Sequence, residues 1–401
     1  MGKARHGNDR RIPPGSASPG PSTGQAGQKE SLGEGADVLI VGAGAAGCTA
    51  ATLLARARRR VVLLDRAALD DRPLAPAWVG PGVEDVLKKM GLSIRDLPAE
   101  PIRTVAFLTS DFEKCQEVQP ARGTGFFVER GGWNTVLLKA AIGAGARYLE
   151  RHAVLRLRMR EEHVTAECDG GRRATASLVA VADGAFSETA AAIGLDLVPN
   201  AGGRFAACVV WLPSRQGVLS EGVLHFVLSS EPAAGLASFW CVGDQAVVTA
   251  LDRTEAATRN LLVRTLARVC DRLGVAPPRD FAPGGVPVRR IPAGQALDIE
   301  THVGKRAVVF GEAGGFVAAA TGEGIYPAMW SAQVAAEVIR DALDEPHPQD
   351  GLRRFDTQWR TAMADYLRPP NTDLQFLLPL VFSNRQMAER LANAFLQGEN
   401  L

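Results

Sequence analysis

Long apolar runs are missing from this sequence. No stretch approaches the ~18 consecutive apolar residues that a membrane-spanning helix needs. An excess of one charge is missing too. The 45 Lys and Arg against 44 Asp and Glu leave a net charge of +1, which argues against a broad nucleic-acid surface. Clustered metal ligands are absent. Cys48, Cys115, Cys168, Cys208, Cys241 and Cys270 form no C-x-x-C, and the six histidines are equally dispersed. Reduced core thiols in a cytoplasmic protein are the expectation, with no metal site. There is no internal repeat. Residues 1–35 hold almost no large apolar side chains and are rich in Gly, Pro, Ser and Gln, the composition of a disordered tail. Arg10-Arg11 is followed by no apolar core, which rules out a twin-arginine signal. Asp9, Glu30 and Glu34 dilute the basic bias of a transit peptide. At 401 residues and 46% hydrophobic content the chain can bury a sizeable core in two domains.

What the chain does hold is one stretch that organises the rest. Val38 to Val41 reads as a strand buried on both faces. Gly42, Gly44 and Gly47 then form G-x-G-x-x-G. The first permits a tight turn, the second lets backbone approach a pyrophosphate, and the third lets the next helix pack close to the sheet. Ala46 to Ala57 is that helix. Its first turn, with Ala45 and Ala46 at the start, presents unpaired N–H groups and a positive dipole end. Val61 to Leu64 is a second buried strand. Asp65 ends it, near the ~20-residue spacing of a ribose-binding acid, and Arg66 follows. Strand, turn, helix, strand and acid in that order point to a bound dinucleotide; a βαβ unit without a ligand is the other reading.

Further along, Val83 to Met90 forms a short helix stopped by Gly91. A clear helix covers Thr135 to Ala144, and Arg130 sits just before it, placed either for an anion or for solvent. Val154 to Arg160 alternates, with Leu155, Leu157 and Met159 on one face and arginines on the wet one. Val164 to Ser177 reads as a hairpin, and Leu178 to Ala182 as a buried strand ending at Asp183-Gly184. An acid at the C-terminal end of such a strand lies where ligands bind in open α/β sheets. Phe205–Leu212, Val223–Leu228, Ala237–Val242 and Ala246–Leu251 suggest an antiparallel sheet, followed by an amphipathic helix from Thr254 to Leu273. Arg306 to Glu312 is a third buried strand ending at an acid. Thr321-Gly-Glu-Gly-Ile325 then opens a long helix to about Leu343. Residues 350–401 are helical. Phe376 to Phe382 is too short to span a bilayer and reads as core, or else as a lid or a membrane-facing patch.

These three strand ends, in this order, resemble the flavoprotein family of p-hydroxybenzoate hydroxylase and geranylgeranyl reductase over roughly residues 36–345. Val181-Ala-Asp-Gly-Ala-Phe-Ser187 is similar to that family's A-D-G-x-x-S motif, and Thr321-Gly-Glu-Gly-Ile-Tyr326 lies closest to its geranylgeranyl-reductase branch. The resemblance implies an α/β fold: a Rossmann-like three-layer FAD domain, an inserted antiparallel substrate domain and a helical C-terminus. It divides the chain into a tail (1–35), an FAD domain (36–75, 125–200 and 298–345), a substrate domain (76–124 and 201–297) and a C-terminal segment (346–401).

The resemblance implies bound FAD, with NAD(P)H as an external donor. The glycine turn would hold the pyrophosphate, Asp65 the ribose and Arg130 the phosphates. Asp183-Gly184 matches a motif linked to both cofactors. Gly311-Glu312 matches a G-D whose acid bonds the ribityl chain. Gly322, Gly324 and Ile325 would flank the flavin's pyrimidine edge, where a helix end stabilises negative charge. The candidate cofactor-binding set is Gly42, Gly44, Ala45, Ala46, Gly47, Asp65, Arg66, Arg130, Val154, Asp183, Gly184, Gly311, Glu312, Gly322, Gly324 and Ile325.

This chain departs from the family in carrying Glu312 where Asp is usual, Asp65 where Glu is usual, and Ala190 where an arginine often stands. The first functional expectation is reduction or dehydrogenation of a small apolar, isoprenoid-like molecule by hydride transfer through flavin N5. The alternative is an NAD(P)H-dependent monooxygenase of aromatic or polyketide substrates. A non-enzymatic flavin- or partner-binding protein is third, motivated by Glu312 and Ala190. A flavin halogenase is disfavoured because W-x-W-x-x-I-P is absent. No catalytic acid or base is assigned. Trp78, His225, Trp240 and Tyr326 are candidate pocket residues, though each is more at home as an ordinary core or strand side chain. No nucleic acid is expected; peripheral membrane contact and the oligomeric state stay open.

Overall fold

A computed structural model describes residues 35–68, 75–185, 187–195, 204–211, 221–231, 235–279, 281–370, 372 and 374–401. The expected tail therefore lies outside the described residues, apart from Gly35. The strands are β1 Ala36–Val41, β2 Val61–Leu64, β3 Pro76–Val79, β4 Ala99–Pro101, β5 Thr104–Thr109, β6 Cys115–Val118, β7 Phe126–Glu129, β8 Arg147–Leu149 and β9 Val154–Met159. They continue with β10 Val164–Cys168, β11 Arg173–Val181, β12 Arg204–Trp211, β13 Val223–Leu228, β14 Leu236–Val242, β15 Gln245–Asp252, β16 Val288–Ile291, β17 Val303–Gly304 and β18 Ala307–Val309. The helices are α1 Ala45–Arg56, α2 Val83–Met90, α3 Arg130–Gly143, α4 Glu188–Ala192, α5 Glu255–Leu273, α6 Ile325–Ala342, α7 Pro348–Gly351, α8 Arg354–Leu367, α9 Leu374–Ser383 and α10 Arg385–Gln397.

The first sheet runs β17-β18-β11-β1-β2-β8, with β10 and β9 hung from β11. Its centre is parallel: Val41 lies beside Val181 on one side and Leu64 on the other, and Val181 lies beside Val309. All four residues of β2 and the last four of β1 are buried, as strands covered on both faces require. One face packs on α1, α3 and α6, with Cys48, Leu54, Leu137, Met329 and Ile339 fully or almost fully buried there. The other face packs under β9 and β10. Leu178–Ala182 is no separate strand: it continues the hairpin strand as β11, because Arg173 to Val181 pairs first with β10 and then with β1.

The second sheet runs β16-β12-β15-β14-β13-β5-β6. It is antiparallel except where β13 pairs parallel with β5. Thr254 caps α5 through its hydroxyl, and Leu262, Leu266, Val269 and Leu273 face the sheet. The opposite sheet face carries Phe226, Trp240 and Val247 toward α9 and α10. β3, β7 and β4 form a small third sheet. α6 and α8 cross with Phe355, Trp359 and Met363 buried between them.

Candidate active site: a cavity between the two sheets

A single cavity of about 850 Å³ lies where the C-terminal ends of β1, β2 and β11 face the second sheet. That volume suits a bound organic cofactor with a substrate beside it.

The glycine turn forms one end. Gly42 has φ +99°, and a Cβ there would lie 2.3 Å from the Ala182 carbonyl oxygen. A Cβ on Gly47 would lie 1.8 Å from the Gly42 oxygen, so this residue sets the approach of α1 to the turn rather than lining the cavity. Gly44 lines the cavity, and a Cβ there would meet nothing within 4 Å. It precedes α1, whose first turn has no side-chain cap. Its dipole end therefore faces the cavity without a competing carboxylate. Asp65 is fixed at the rim by two backbone donors, Ala43 N–H to Oδ2 and Ala67 N–H to Oδ1, both at 2.8 Å. Asp183 also lines the cavity, and its buried Oδ1 has no partner among the described residues. A bare-backbone turn, an uncapped helix end and an orphaned buried acceptor are what a dinucleotide requires, so these residues fit FAD.

Fourteen of the sixteen candidate residues line this one cavity: all but Gly47 and Gly311. Gly311 is buried at φ +67°, its N–H bonded to Ser331 Oγ, and a Cβ would lie 2.7 Å from the Ala46 Cβ. It lets the loop after β18 pass α1 closely. Glu312 turns into the cavity. Its Oε1 lies 3.7 Å from Arg130 Nη2 and 3.1 Å from where a Gly324 Cβ would stand. Glu312 thus lies between Arg130, just after β7, and the α6 lead-in loop.

Arg130 is the first residue of α3, not a residue before the helix. The helix begins five residues earlier than the apolar pattern suggests, because Glu129 caps it: its carboxylate accepts from Gly131 N–H and Gly132 N–H at 2.7 and 2.6 Å. Val154 lines the cavity where a register shift interrupts the pairing of β9 and β10. The shift also overturns the apolar face expected of β9. Leu155 is 70% exposed, while Leu157 is buried.

At the opposite wall stands Glu323. It is buried, with Oε1 accepting from Ile325 N–H and Tyr326 N–H at 2.8 Å and Oε2 accepting from the Tyr366 hydroxyl at 3.0 Å. Burial pushes its carboxyl up to about 7. The start of α6 is thus capped from within, and its first two N–H groups are not offered to a ligand. The sequence signal was present, since an acid two residues before a long helix is a cap, but the flanking glycines drew attention away from it. Ala190 is a core residue, buried where Ser187 caps α4 through the Ala190 N–H.

Of the four aromatic candidates, Trp78 and Trp240 line the cavity. His225 does not: it stacks on Phe239 at 4.2 Å, and burial lowers it to about 4. Tyr326 packs instead between Trp330 and Tyr366. Cavity residues that sequence reading missed include Trp133, His152, Cys208, Ser238, Thr249 and Arg289. Only the fold brings these helix, loop and strand positions to one surface.

The model of the family described as FAD binding domain matches residues 35–260, more than half of the chain. A digeranylgeranylglycerophospholipid reductase of Methanocaldococcus jannaschii is 26% identical over 342 residues, 82% of this chain and 84% of that protein. A geranylgeranyl bacteriochlorophyll reductase-like protein of Thermoplasma acidophilum has the same fold at a TM-score of 0.70 and 16% identity, covering 92% of this chain and 93% of its own. PqsL of Pseudomonas aeruginosa, described as a probable FAD-dependent monooxygenase, matches at a TM-score of 0.63 and 18% identity over 88% of this chain and 98% of its own.

Proposed function

Because this chain belongs to the FAD binding domain family and is an FAD-dependent oxidoreductase, we propose that it reduces or dehydrogenates an apolar, isoprenoid-like substrate. One observation carries the reading. The cavity that begins at the glycine turn extends to the second sheet, where Trp240, Leu236 and Ile291 line it, and to Trp78 on β3. The relatives named as isoprenoid-lipid reductases support the substrate class.

We assign the pyrophosphate to Gly44, Ala45 and the α1 dipole, the ribose to Asp65, and the ribityl side to Glu312 with Arg130. When bound, FAD supplies two-electron hydride chemistry, and the protein supplies position, dryness and charge. The glycine-lined entry to α6 sets the far edge, with Gly322 and Gly324 on the cavity wall. The Glu323 carboxyl, pushed up to about 7 by burial, takes up a proton within the same wall as pH falls through neutrality. Trp78 and Trp240 exclude water from the reacting space. NAD(P)H is the proposed donor, reaching the cavity beside Asp183 and Gly184.

The second reading is hydroxylation of an aromatic or polyketide substrate, supported by the fold shared with PqsL. Rapid mixing of the reduced holoprotein with oxygen separates the two. The reductase reading predicts direct reoxidation. A transient oxygenated absorbing species, followed by a hydroxylated product, would sink it.

A further inference from the structure

The start of α6 carries an acid of its own where the negative charge of a ligand would otherwise sit. Glu323 is 5% exposed and lines the cavity. Its Oε1 takes the N–H groups of both Ile325 and Tyr326, and its Oε2 accepts from the Tyr366 hydroxyl at the end of α8. Burial, with Glu323 alongside, holds Tyr366 well above the ordinary phenol range, so this hydroxyl stays a donor. The positive end of α6 is therefore already matched to a carboxylate.

The charges around Glu323 do not balance. Arg130 on α3 is the cation that favours its ionised form, and the same guanidinium lies 3.7 Å from Glu312 on the loop after β18. Two carboxylates thus share one guanidinium. Tyr326, on α6 itself, adds a phenol that burial keeps neutral, and Asp85 on α2 faces that phenol with a further negative charge. The other arginines on the cavity wall stand elsewhere: Arg66 beside Asp65 at the glycine-turn end, and Arg289 on β16 at the edge of the second sheet. A flavin that accepts a hydride gains one negative charge, and no guanidinium at the α6 end is left to meet it.

We propose that Glu323 takes up a proton when flavin bound in this cavity is reduced, so that the wall loses one negative charge as the cofactor gains one. Two electrons and one proton reach the flavin as hydride from a nicotinamide donor, and one proton passes from water to a Glu323 carboxylate oxygen. A buried carboxyl poised at about 7 suits that change, because a new negative charge beside it raises its proton affinity further. Tyr366 is a positioning residue: its hydroxyl favours the ionised form and so keeps the carboxylate ready to accept. The inference rests on the FAD site assigned above and is independent of the substrate.

The test is the two-electron midpoint potential of the FAD-loaded protein between pH 7.5 and 8.5, measured against redox dyes, together with the infrared difference spectrum of reduction. Uptake of two protons changes the reduction constant a hundredfold per pH unit, a slope of about 59 mV; uptake of one changes it tenfold, about 30 mV. The wild type follows the steeper slope and gains the carbonyl band of a protonated carboxyl on reduction. E323Q follows the shallower slope without that band. Y366F moves the steep region to higher pH, because the carboxylate has lost a donor. A slope of about 30 mV in the wild type, or a slope of about 59 mV that E323Q retains, overturns the proposal and leaves the FAD site standing. A protein that does not retain FAD overturns both. Should E323Q not fold, absence of the band in the wild type or an unmoved steep region in Y366F overturns the proposal.

Discussion

At Gly47 an added methyl group would sit 1.8 Å from the Gly42 carbonyl oxygen; at Gly44 it would sit in open cavity. The two glycines are therefore required for different reasons. Gly47→Ala forces α1 away from the turn and is expected to lower the melting temperature of the cofactor-free protein by several degrees. Gly44→Ala leaves that melting temperature within about a degree and weakens FAD binding about tenfold or more, because the methyl group occupies the approach to the helix end. Differential scanning calorimetry and FAD titration check the pair. Glu323 allows a second prediction. Burial raises its folded-state pKa to about 7, above the ordinary glutamate value of about 4.5. It therefore contributes stability that is fully present below about pH 4.5 and lost as pH rises through about 7. Glu323→Gln keeps an oxygen for the Ile325 and Tyr326 N–H groups and cannot ionise. Thermal melts from pH 5 to 8 are expected to decline less with pH in the variant than in the wild type. An identical decline would assign the pH dependence elsewhere. Residue by residue, the sequence made the phosphate end legible, because a glycine turn between two buried strands has few other uses. It left Arg289 and the hydrogen-bonded Ser238–Thr249 pair invisible, because they meet only through register across four strands.

Elements were legible wherever their own periodicity decides them. α2 ends at Gly91 in the left-handed conformation, and α5 begins at its Thr254 cap, where the pattern places them. Elements were misread where a tertiary partner sets the boundary. α3 starts at Arg130 because Glu129 caps two glycine N–H groups and also accepts from Ala75 N–H at 3.2 Å. Glycines at helical positions 131 and 132 conceal such a start. β9 loses its expected face at the irregular pairing with Cys168. α9 is apolar all round, but only Leu378 and Val381 are buried, while Phe376 is 72% exposed and Leu380 47%. Reading the segment as core is right for one face only. Phe376→Ser is therefore expected to change unfolding free energy by less than about 0.5 kcal/mol, whereas Leu378→Ala costs about 2 kcal/mol or more. Urea unfolding of both variants checks this; equal losses would mean that the outer face of α9 is covered in solution.

Across the whole molecule, the parallel sheet supplies strand ends and the second sheet supplies a wall, and the site exists only because they face each other. That arrangement follows from chain order. β3 to β7 leave the first sheet and return to it at α3, and β12 to β16 leave again between β11 and β17. Three motifs far apart in sequence thus meet around Arg130, Glu312 and Gly324. No described helix is long and apolar enough to cross a membrane. Reduction of the proposed isoprenoid-like substrate is the step to measure. The most direct measurement is a single anaerobic turnover: the FAD-loaded protein is reduced chemically, mixed with farnesol, and followed by visible absorbance and mass spectrometry. Oxidised-flavin absorbance is expected to return without oxygen, and the substrate chain to gain two hydrogen atoms per flavin. Absorbance that returns only when oxygen is admitted, with an added oxygen atom in the product, would contradict it.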